Sequence, residues 1–480
     1  MSRPTLTLTA AAALLLVTGY AAAQSAPPSS TIVYNYVYDN NNNLLQATDA
    51  LGHATKQSYD ALNRRSTLTD PNSGITRYGY DPLDHLISVT DPRSLVTGYQ
   101  VDGLGNLNQL QSPDTGTTVN HYDLGGNLIT QTDAKQQTTH YAYDALNRVS
   151  SITYADSSSV TYTYDQGANG LGRLTQITDA SGSIQYAYDT GGRLLTETRT
   201  VNVIATPNGV PTPTPYVTSY GYDNVGRLSG ITYPSGRVLT YARDGMGRIN
   251  QITSTHNGIV TVLVNNVTYR PFGGVQSYVN SAGNTYTRGF DTSGRITSYT
   301  LNGAQHGLSY DGASDIVGYT DSSNAANNTT YGYDPLSRLT GALTSSNSLS
   351  YAYDPNGNRT SQTNGGASST NTYATTSNQL TLISGAQTIP IAIDPNGSIT
   401  NNGNNQFAYD ARGRLISAVT PTGLVQYAIN PLGQRVQKIT GAGGTVYEYD
   451  SGGKLIGETN GQHGKDYIYL GDIPVAVVQM

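Results

Sequence analysis

Residues 143–149 read Tyr-Asp-Ala-Leu-Asn-Arg-Val, and this pattern returns along almost the whole chain. Between Tyr38 and Asp165 the Asp of the pattern recurs at a constant spacing of 21 residues. A fixed period in this range is typical of repeat architectures, in which each unit is one supersecondary element. The sequence therefore predicts an array of similar units. The Asp markers in this stretch are Asp39, Asp60, Asp81, Asp102, Asp123, Asp144 and Asp165.

The period continues beyond Asp165 with a few irregular steps. The step from Asp189 to Asp223 is 34 residues, and its surplus lies in Val203–Pro215, which contains four prolines. Because proline cannot donate to a strand ladder, this segment is predicted to be a loop extruded from one hairpin. The step from Asp394 to Asp410 is 16 residues, which predicts a trimmed hairpin. The later marker positions are Asp189, Asp223, Asp244, Arg270, Asp291, Asp311, Asp334, Asp354, Ala374, Asp394, Asp410, Asn430, Asp450 and Leu470.

Each unit reads as a β-hairpin. Many markers follow Tyr-x-Tyr, as at Tyr78 and Tyr80, and residues two apart lie on one face of a strand. The marker Asp can bond its own downstream backbone, and a Gly three residues later, such as Gly226, supplies positive φ. A second turn, such as residues 48–52, closes the unit. We predict an all-β fold of repeated antiparallel hairpins of about 21 residues.

Composition excludes several classes of function. The 480 residues carry a net charge of −6 with 12% charged residues, so there is no basic footprint for nucleic acid. No cysteine is present, which rules out disulfides, cysteine-ligated zinc and thiol nucleophiles.

The N-terminus has the features of a secretory signal peptide. Arg3 is followed by the apolar stretch Leu6–Val17 and by Ala21-Ala22-Ala23, which fits a cleavage site. We predict a signal peptide over residues 1–23, a linker over 24–33 and a repeat region over 34–480. No later run is apolar enough to predict a transmembrane span, so the mature chain is expected to be secreted, at the cell surface or in the periplasm.

The motif Tyr-Asp-x-x-Gly-Arg-Leu, seen at residues 222–228 and again at 409–415, resembles the YD repeats of RHS proteins. The same repeats occur in teneurins and in shell components of bacterial toxin complexes, and the resemblance covers residues 34–480. It implies a large β-sheet that spirals into a hollow or partial shell. In toxin members the shell encloses a C-terminal effector, and in teneurins it serves extracellular recognition.

The resemblance also leads to an expectation for the C-terminal residues. Residues 467–480 look like the entry to the core that closes such shells, but the family's self-cleaving Asp-Pro-x-Gly region and toxin would lie beyond Met480. We therefore expect an incomplete C-terminal edge at Tyr467–Val478, capped by another chain or driving self-association. Asp-Pro-Asn-Gly occurs at residues 354–357 and 394–397, where the period predicts ordinary repeat turns.

Four sets of side chains are candidates for chemistry, and each has a structural interpretation. Asp354, Asn356 and Asn358 alternate oxygens as calcium loops do, yet they are also common turn residues. Rows of Arg could bind anions or could form an Asp–Arg ladder between turns, and rows of Tyr could bind ligands or hold the sheet together. The seven His share no repeat position and no metal-ligand spacing. The Arg and His sets are Arg173, Arg193, Arg227, Arg248, Arg295 and Arg414, with His53, His85, His121, His140, His256, His306 and His463.

We accordingly predict no catalytic, cofactor-binding or metal-binding residue and no cofactor. The leading hypothesis is a non-enzymatic exported scaffold that encloses or presents a partner polypeptide. The alternative is a cell-surface module that binds glycan or a neighbouring cell, with Val203–Pro215 as its contact. A third hypothesis, an extracellular hydrolase, rests only on the abundance of Asp.

Overall fold

The computed structural model describes residues 34–480 except 208, 272 and 462. The predicted signal peptide and linker lie outside these residues. Within them the chain forms 43 β-strands and one short 3-10 helix, Ala325–Asn327. The predicted all-β class is confirmed. No helix in the described part of the chain is long and apolar enough to cross a membrane.

The chain divides into two compact units. The first unit comprises the described residues through Gly105, together with Gln111–Pro113 and Arg288–Thr388. The second unit comprises Asn106–Leu110, Asp114–Thr287 and Ile389–Met480. In each unit, strands that follow one another in sequence pair antiparallel, as the hairpin interpretation predicts.

The strands up to residue 280 are β1 Asn35–Tyr38, β2 Leu44–Thr48, β3 Ala54–Tyr59, β4 Arg65–Thr69, β5 Ile75–Tyr80, β6 Leu86–Thr90, β7 Val96–Val101, β8 Leu107–Ser112, β9 Gly116–Tyr122, β10 Leu128–Thr132, β11 Thr138–Tyr143, β12 Val149–Thr153, β13 Ser159–Tyr164, β14 Leu174–Asp179, β15 Gly182–Tyr188, β16 Leu194–Val203, β17 Thr212–Tyr222, β18 Leu228–Thr232, β19 Val238–Arg243, β20 Ile249–His256, β21 Ile259–Tyr269 and β22 Val275–Asn280.

The remaining strands are β23 Thr285–Phe290, β24 Ile296–Leu301, β25 Ala304–Tyr310, β26 Ile316–Asp321, β27 Thr329–Tyr333, β28 Leu339–Leu343, β29 Ser348–Tyr353, β30 Arg359–Asn364, β31 Ala367–Tyr373, β32 Leu380–Ser384, β33 Thr388–Pro390, β34 Ala392–Ile393, β35 Ile399–Asn401, β36 Gln406–Tyr409, β37 Leu415–Thr420, β38 Gly423–Ile429, β39 Arg435–Thr440, β40 Gly443–Tyr449, β41 Leu455–Thr459, β42 Gly464–Leu470 and β43 Ile473–Gln479.

A bulge accompanies each marker. In the hairpin of β5 and β6, Gly79 pairs with Ser88 and Tyr80 with Leu86, so the return strand holds one extra residue. The turn between them closes when Asp81 N–H donates to the carbonyl of His85 (3.0 Å). Asp84, the residue before His85, has φ of +68°. A type I turn followed by one left-handed residue is a common hairpin connection, which explains why Gly, Asn, Asp or Ser occupies this position.

The insertion contains more β-strand than the sequence predicts. We predicted a loop over Val203–Pro215, but β16 and β17 extend into it, and Val203 pairs with Thr212. Pro213 and Pro215 lie in this extension, where β17 pairs with β16 on one side, while its pairing with β18 begins at Ser219. Proline is tolerated there because the edge side of the strand needs no N–H.

The second unit contains the hydrophobic core. Side chains of β17–β22 pack against β41 and β42, and Leu239, Ile252 and Ile468 are fully buried. Three further buried valines, Val201, Val436 and Val446, form a smaller cluster. In the described part of the first unit, Leu95 is the one apolar side chain that is buried. The repeat therefore forms similar hairpins in both units but buries apolar side chains mainly in the second.

The predicted C-terminal edge is covered on one face. Ile468 and Leu470 of β42 are buried in the core, and the Tyr233 hydroxyl donates to the carbonyl of Tyr467 (3.0 Å). The final strand, β43, pairs with β42 and is the outermost strand of the ten-stranded sheet β34–β43. The sheet thus ends within the predicted stretch Tyr467–Val478, and the capping of this edge by another chain stays a prediction.

Candidate functional site

The marker Asp organises the turn that follows it. In the turn after β11, the Asp144 Oδ1 accepts the N–H groups of Leu146 (2.9 Å) and Arg148 (3.0 Å). Its Oδ2 accepts Arg148 Nε (2.6 Å). These bonds, led by the Arg148 N–H, hold the pKa of Asp144 below its usual value. The carboxylate therefore fixes the conformation of the turn through these hydrogen bonds. We call the five residues that begin at each marker the marker turn, and the second turn of each unit the return turn.

The arginine that ends a marker turn connects it to the next unit. The Arg148 Nη2 donates to Asp165 Oδ2 (2.6 Å), and its guanidinium lies 4.2 Å from the centre of the Tyr164 ring. Arg338 likewise donates to the carbonyl of Asp354 (2.9 Å) and covers Tyr353. Charge attraction and cation–π contact thus link neighbouring hairpins.

The six predicted arginines occupy this kind of position. Arg193, Arg227, Arg248, Arg295 and Arg414 each pair with the marker Asp of their own turn. Arg173 instead donates to the carbonyls of Asn169 and Leu171 and covers Tyr188. Their donors are engaged within the fold, as the ladder interpretation predicts.

Most tyrosines that directly precede a marker use their hydroxyl to bind the backbone of the preceding unit. Tyr143 donates to the carbonyl of Leu128 (2.9 Å), and Tyr333 donates to that of Ile316 (2.8 Å). This hydroxyl–carbonyl bond is the recurrent contact of the tyrosine rows, in line with the interpretation that they hold the sheet together. The same bond is made by Tyr59, Tyr80, Tyr122, Tyr164, Tyr188, Tyr222, Tyr269, Tyr310, Tyr353, Tyr373, Tyr409, Tyr449 and Tyr469.

Within each unit, marker turns from late in the chain face return turns from early in the chain. We call these opposed rows the seam. In the first unit, Asn356 Nδ2 donates to Asp91 Oδ2, and Arg93 N–H donates back to Asn356 Oδ1 (3.3 Å). The Arg93 guanidinium lies 3.3 Å from Asp354 Oδ2 and donates to the carbonyl of Ala374 (2.8 Å). Side chains rather than a strand ladder join the rows here.

The second unit repeats this contact. Asn396 Nδ2 donates to Asp133 Oδ2 (2.6 Å), and Lys135 N–H donates to Asn396 Oδ1 (3.2 Å). The Lys135 Nζ lies 3.3 Å from Asp394 Oδ2. Further along, Arg412 donates to Asp179 Oδ2 (3.2 Å).

Each of four seam marker carboxylates has one cationic partner. Asp354 and Asp394 are followed four residues later by Asn358 and Ser398, and their cations, Arg93 and Lys135, come from across the seam. Asp334 and Asp410 take the arginine of their own turns instead, Arg338 and Arg414. Opposite these two, the return turns present Asn72 and Asp156 rather than a cation.

The proposed calcium-loop residues belong to the seam. Asp354 Oδ1 accepts the N–H groups of Asn356 and Asn358 (2.9 Å each), while the two asparagine side chains bind other turns. Both Asp-Pro-Asn-Gly stretches are marker turns, as the period predicts. In the described residues no group of three or more His, Asp or Glu has the geometry to hold a metal ion.

The histidines do not converge. His53 and His85 sit beside Asp49 and Asp81 with Nδ1–Oδ2 distances of 3.0 Å, as arginine does in other turns. His306 is buried and stacks against Tyr299 and Tyr319. The other four, His121, His140, His256 and His463, lie at separate places in the fold.

The second unit also contains a group of buried charges that no sequence pattern had predicted. Arg237 Nε donates to Asp466 Oδ2 (2.6 Å), and its Nη2 donates to the carbonyl of Gln479 (3.1 Å). Glu448 and Asp466 lie on either side of Gly457 in the sheet, 4% and 0% exposed, and each has one oxygen without a partner among the described residues. Burial, reinforced by the charge of Asp466, raises the pKa of Glu448 to about 7. A charged residue between two tyrosines, at a position where other units have Ala, Gly or Thr, was the available signal.

Two family models match the chain. The teneurin YD-shell model matches residues 275–445. The RHS repeat model matches five segments, residues 38–75, 80–117, 122–159, 169–202 and 222–258. Among functionally curated proteins, none matches the chain significantly.

Solved structures of toxin complexes share the fold. The Tc holotoxin pore of Photorhabdus luminescens with a mutant TccC3 is 15% identical, with 94% of this chain and 27% of that chain covered and a TM-score of 0.71. The crystal structure of TcdB2-TccC3-TEV is 15% identical over 91% of this chain and 28% of that chain, with a TM-score of 0.73. That of TcdB2-TccC3 is 16% identical over 91% and 27%, with a TM-score of 0.68. The present chain therefore spans little more than a quarter of the length of these proteins.

Proposed function

Since the chain belongs to the RHS/YD-repeat family, we propose that it is an exported, non-enzymatic scaffold that encloses or presents a partner polypeptide. The similarity to shells of multi-chain toxin complexes supports the scaffold role. The signal-peptide pattern of residues 1–23 supports export.

The observation that carries the proposal is the engagement of the repeated polar side chains within the fold. The carboxylate of Asp144 is used by its own turn, the guanidinium of Arg148 by the next unit and the hydroxyl of Tyr143 by the preceding one. Catalysis needs an acid, base or nucleophile that is available to substrate. The repeat instead uses these groups to build an extended sheet surface, which suits a structural role.

Isolation of the native protein tests this proposal. We expect the mature chain, beginning at Gln24, to be recovered outside the cytoplasm with one co-purifying polypeptide that chemical crosslinking places on the strands. A variant lacking residues 1–23 should remain inside the cell. Recovery of the exported chain with no crosslinked polypeptide would contradict the scaffold proposal without affecting the assignment to the family.

A second candidate is glycan binding at the cell surface, favoured by a polar cavity of about 440 Å³ in the first unit. Asp70 and Arg77 line it, and neither the Asp70 Oδ2 nor the Arg77 guanidinium has a partner among the described residues. Carboxylate and guanidinium groups can both bind sugar hydroxyls. An Asp70→Asn, Arg77→Gln double variant should lose binding on a glycan array, and an array without a ligand for the parent protein would exclude this candidate.

A further inference from the structure

Exposed apolar side chains occupy a fixed position in the early marker turns of the second unit. Leu146, Val225 and Met246 each lie two residues after a marker, and their N–H groups donate to its carboxylate (2.9–3.0 Å). Leu124 and Leu171 lie in the turns that follow β9 and β13. All five side chains are at least 70% exposed. We call these five residues the apolar row.

The turns that carry the apolar row lie side by side along one edge of the sheet. Their hairpins pair with one another in sequence order, and the Arg148 guanidinium binds Asp165 of the next turn. Each step along the edge is two strands wide, or about 9.6 Å. The six turns between Asp123 and Arg248 therefore extend over about 48 Å. A partner that follows this edge can contact all five apolar side chains.

The position two residues after the marker also forms the contacts of the seam. Asn356, Asn396 and Arg412 occupy it in late marker turns, and their side chains bind aspartates of the return turns opposite. There the polar side chain matches a polar surface. The early turns have an apolar residue at the same position, and exposed apolar groups along one edge mark an interaction site. The apolar row therefore indicates a partner with an apolar surface.

A second copy of the chain offers an apolar surface with the same spacing. Two identical rows related by a two-fold axis match over their whole length, because each contact occurs twice. The charges of the turns permit this approach. The six turns carry six Asp and five Arg, so the rows are nearly neutral and repel each other little.

Head-to-tail association would place the apolar row against a polar edge. The late return turns of the second unit, residues 401–405, 420–423 and 440–443, consist mainly of Asn, Thr and Gly. Apolar side chains gain little from contact with such turns, whereas contact between two apolar rows removes both from water. The like-with-like arrangement is therefore favoured.

We propose that this edge is a homodimer interface, in which the apolar rows of two copies pack against each other about a two-fold axis. A standard interface buries about 800 Å² on each partner, so a strip of about 48 Å needs a width of only roughly 17 Å. The seam is not disturbed, because it uses late marker turns and early return turns. The proposal does not depend on the scaffold role.

Sedimentation equilibrium of the mature chain tests the proposal. We expect a monomer–dimer equilibrium, and the double variant Leu146→Asp, Val225→Asp should weaken the dimer at least roughly a hundredfold, because each copy would bury two unpaired carboxylates. Both side chains are exposed in the single chain, so the variant should fold normally. A parent protein that remains monomeric up to its solubility limit, including one that binds phosphatidylcholine vesicles instead, would overturn the proposal.

The double variant Ile259→Asp, Val260→Asp is the matched control. These two side chains are apolar and similarly exposed, but they lie at a return turn, and the change in charge is the same. We expect this variant to form dimers like the parent protein. Loss of the dimer here, with an intact dimer in Leu146→Asp, Val225→Asp, would place the contact on the return turns and overturn the proposal.

Cysteine crosslinking decides the matter if the Asp variants fail to fold. The chain contains no cysteine, so a single introduced thiol detects contact between copies. A bismaleimide should crosslink Leu171→Cys, which lies near the middle of the apolar row, to its counterpart in the second copy. It should not crosslink Ile259→Cys. A dimer that Leu171→Cys leaves without a crosslink would contradict the two-fold contact.

Discussion

The first unit buries one apolar side chain among its described residues, whereas the second contains a core cluster of thirteen buried residues. Both are built from the same hairpin, with the same carboxylate-templated turn and the same tyrosine–carbonyl bond. The motif therefore specifies the hairpin but not the core. In the second unit, residues between motif positions, such as Leu239 and Ile468, let one sheet pack on another.

The largest expected difference between the units concerns a buried ion pair. Replacing Arg237 by Ala leaves Asp466 buried without its cation and should cost about 3–5 kcal/mol of unfolding free energy. Arg64→Ala, which removes a turn ion pair of the first unit, should cost far less, because water screens that partly exposed pair. Amide exchange resolved by unit measures both. Equal losses of unfolding free energy would refute the distinction between a second unit stabilised by its core and a first unit stabilised by ion pairs between turns.

Deletion of apolar side chains probes the same contrast. Leu239→Ala in the core should cost about 2–5 kcal/mol, because Leu239 is fully buried and its removal leaves a cavity. Leu68→Ala in the first unit should cost less, about 1–2 kcal/mol, because Leu68 is only half-buried. Urea denaturation, followed by proteolysis at sites in each unit, measures the loss of stability that each variant causes. A first-unit variant as damaging as Leu239→Ala would show that the first unit has a core of its own.

Lowering the pH should stabilise the second unit and destabilise the first. Burial raises the pKa of Glu448 to about 7, above its ordinary 4.5. Its contribution is full below pH 4.5 and is lost as pH rises to 7, by on the order of 3 kcal/mol. Urea titrations at pH 5 and pH 8 should show this loss in the second unit, and Glu448→Gln should abolish it.

The first unit provides the opposing case. Bonds led by the Ser323 hydroxyl, with Asn327, hold the pKa of Asp321 below its ordinary 3.8. Its contribution is therefore present above pH 3.8 and lost as pH falls below that value. A second unit whose stability does not change between pH 5 and pH 8 would show that Glu448 is not buried as described.

The smallest expected effect on stability concerns the tyrosine hydroxyl–carbonyl bond, which both units contain. Tyr333→Phe in the first unit and Tyr188→Phe in the second each remove one hydroxyl–carbonyl bond, of 2.8 Å and 2.7 Å. Each should cost about 1 kcal/mol, and the two costs should agree. Chemical denaturation of both variants provides the measurement. Clearly unequal costs would mean that the motif bond depends on the surrounding core.

Sequence reasoning predicts local features of this fold because they depend on residues close together in the chain. The turn after Tyr143, including its Asp144 template, follows from residue types within five positions. The seam does not, since Asn356 binds Asp91 across a separation of 265 residues, and no local pattern identifies that partner. Asn356 consequently resembled a calcium ligand, and Glu448 was not singled out at all.

The balance of charge across the seam limits how such a protein can evolve. Copying one whole repeat would leave each hairpin intact but would move later turns one place along the opposite row. Asp394 would then lose Lys135, and Arg338 would meet a turn that already supplies a cation. Growth by gene duplication therefore requires compensating changes in a distant repeat. Lengthening a hairpin, as in β16 and β17, does not change which turns face each other across the seam.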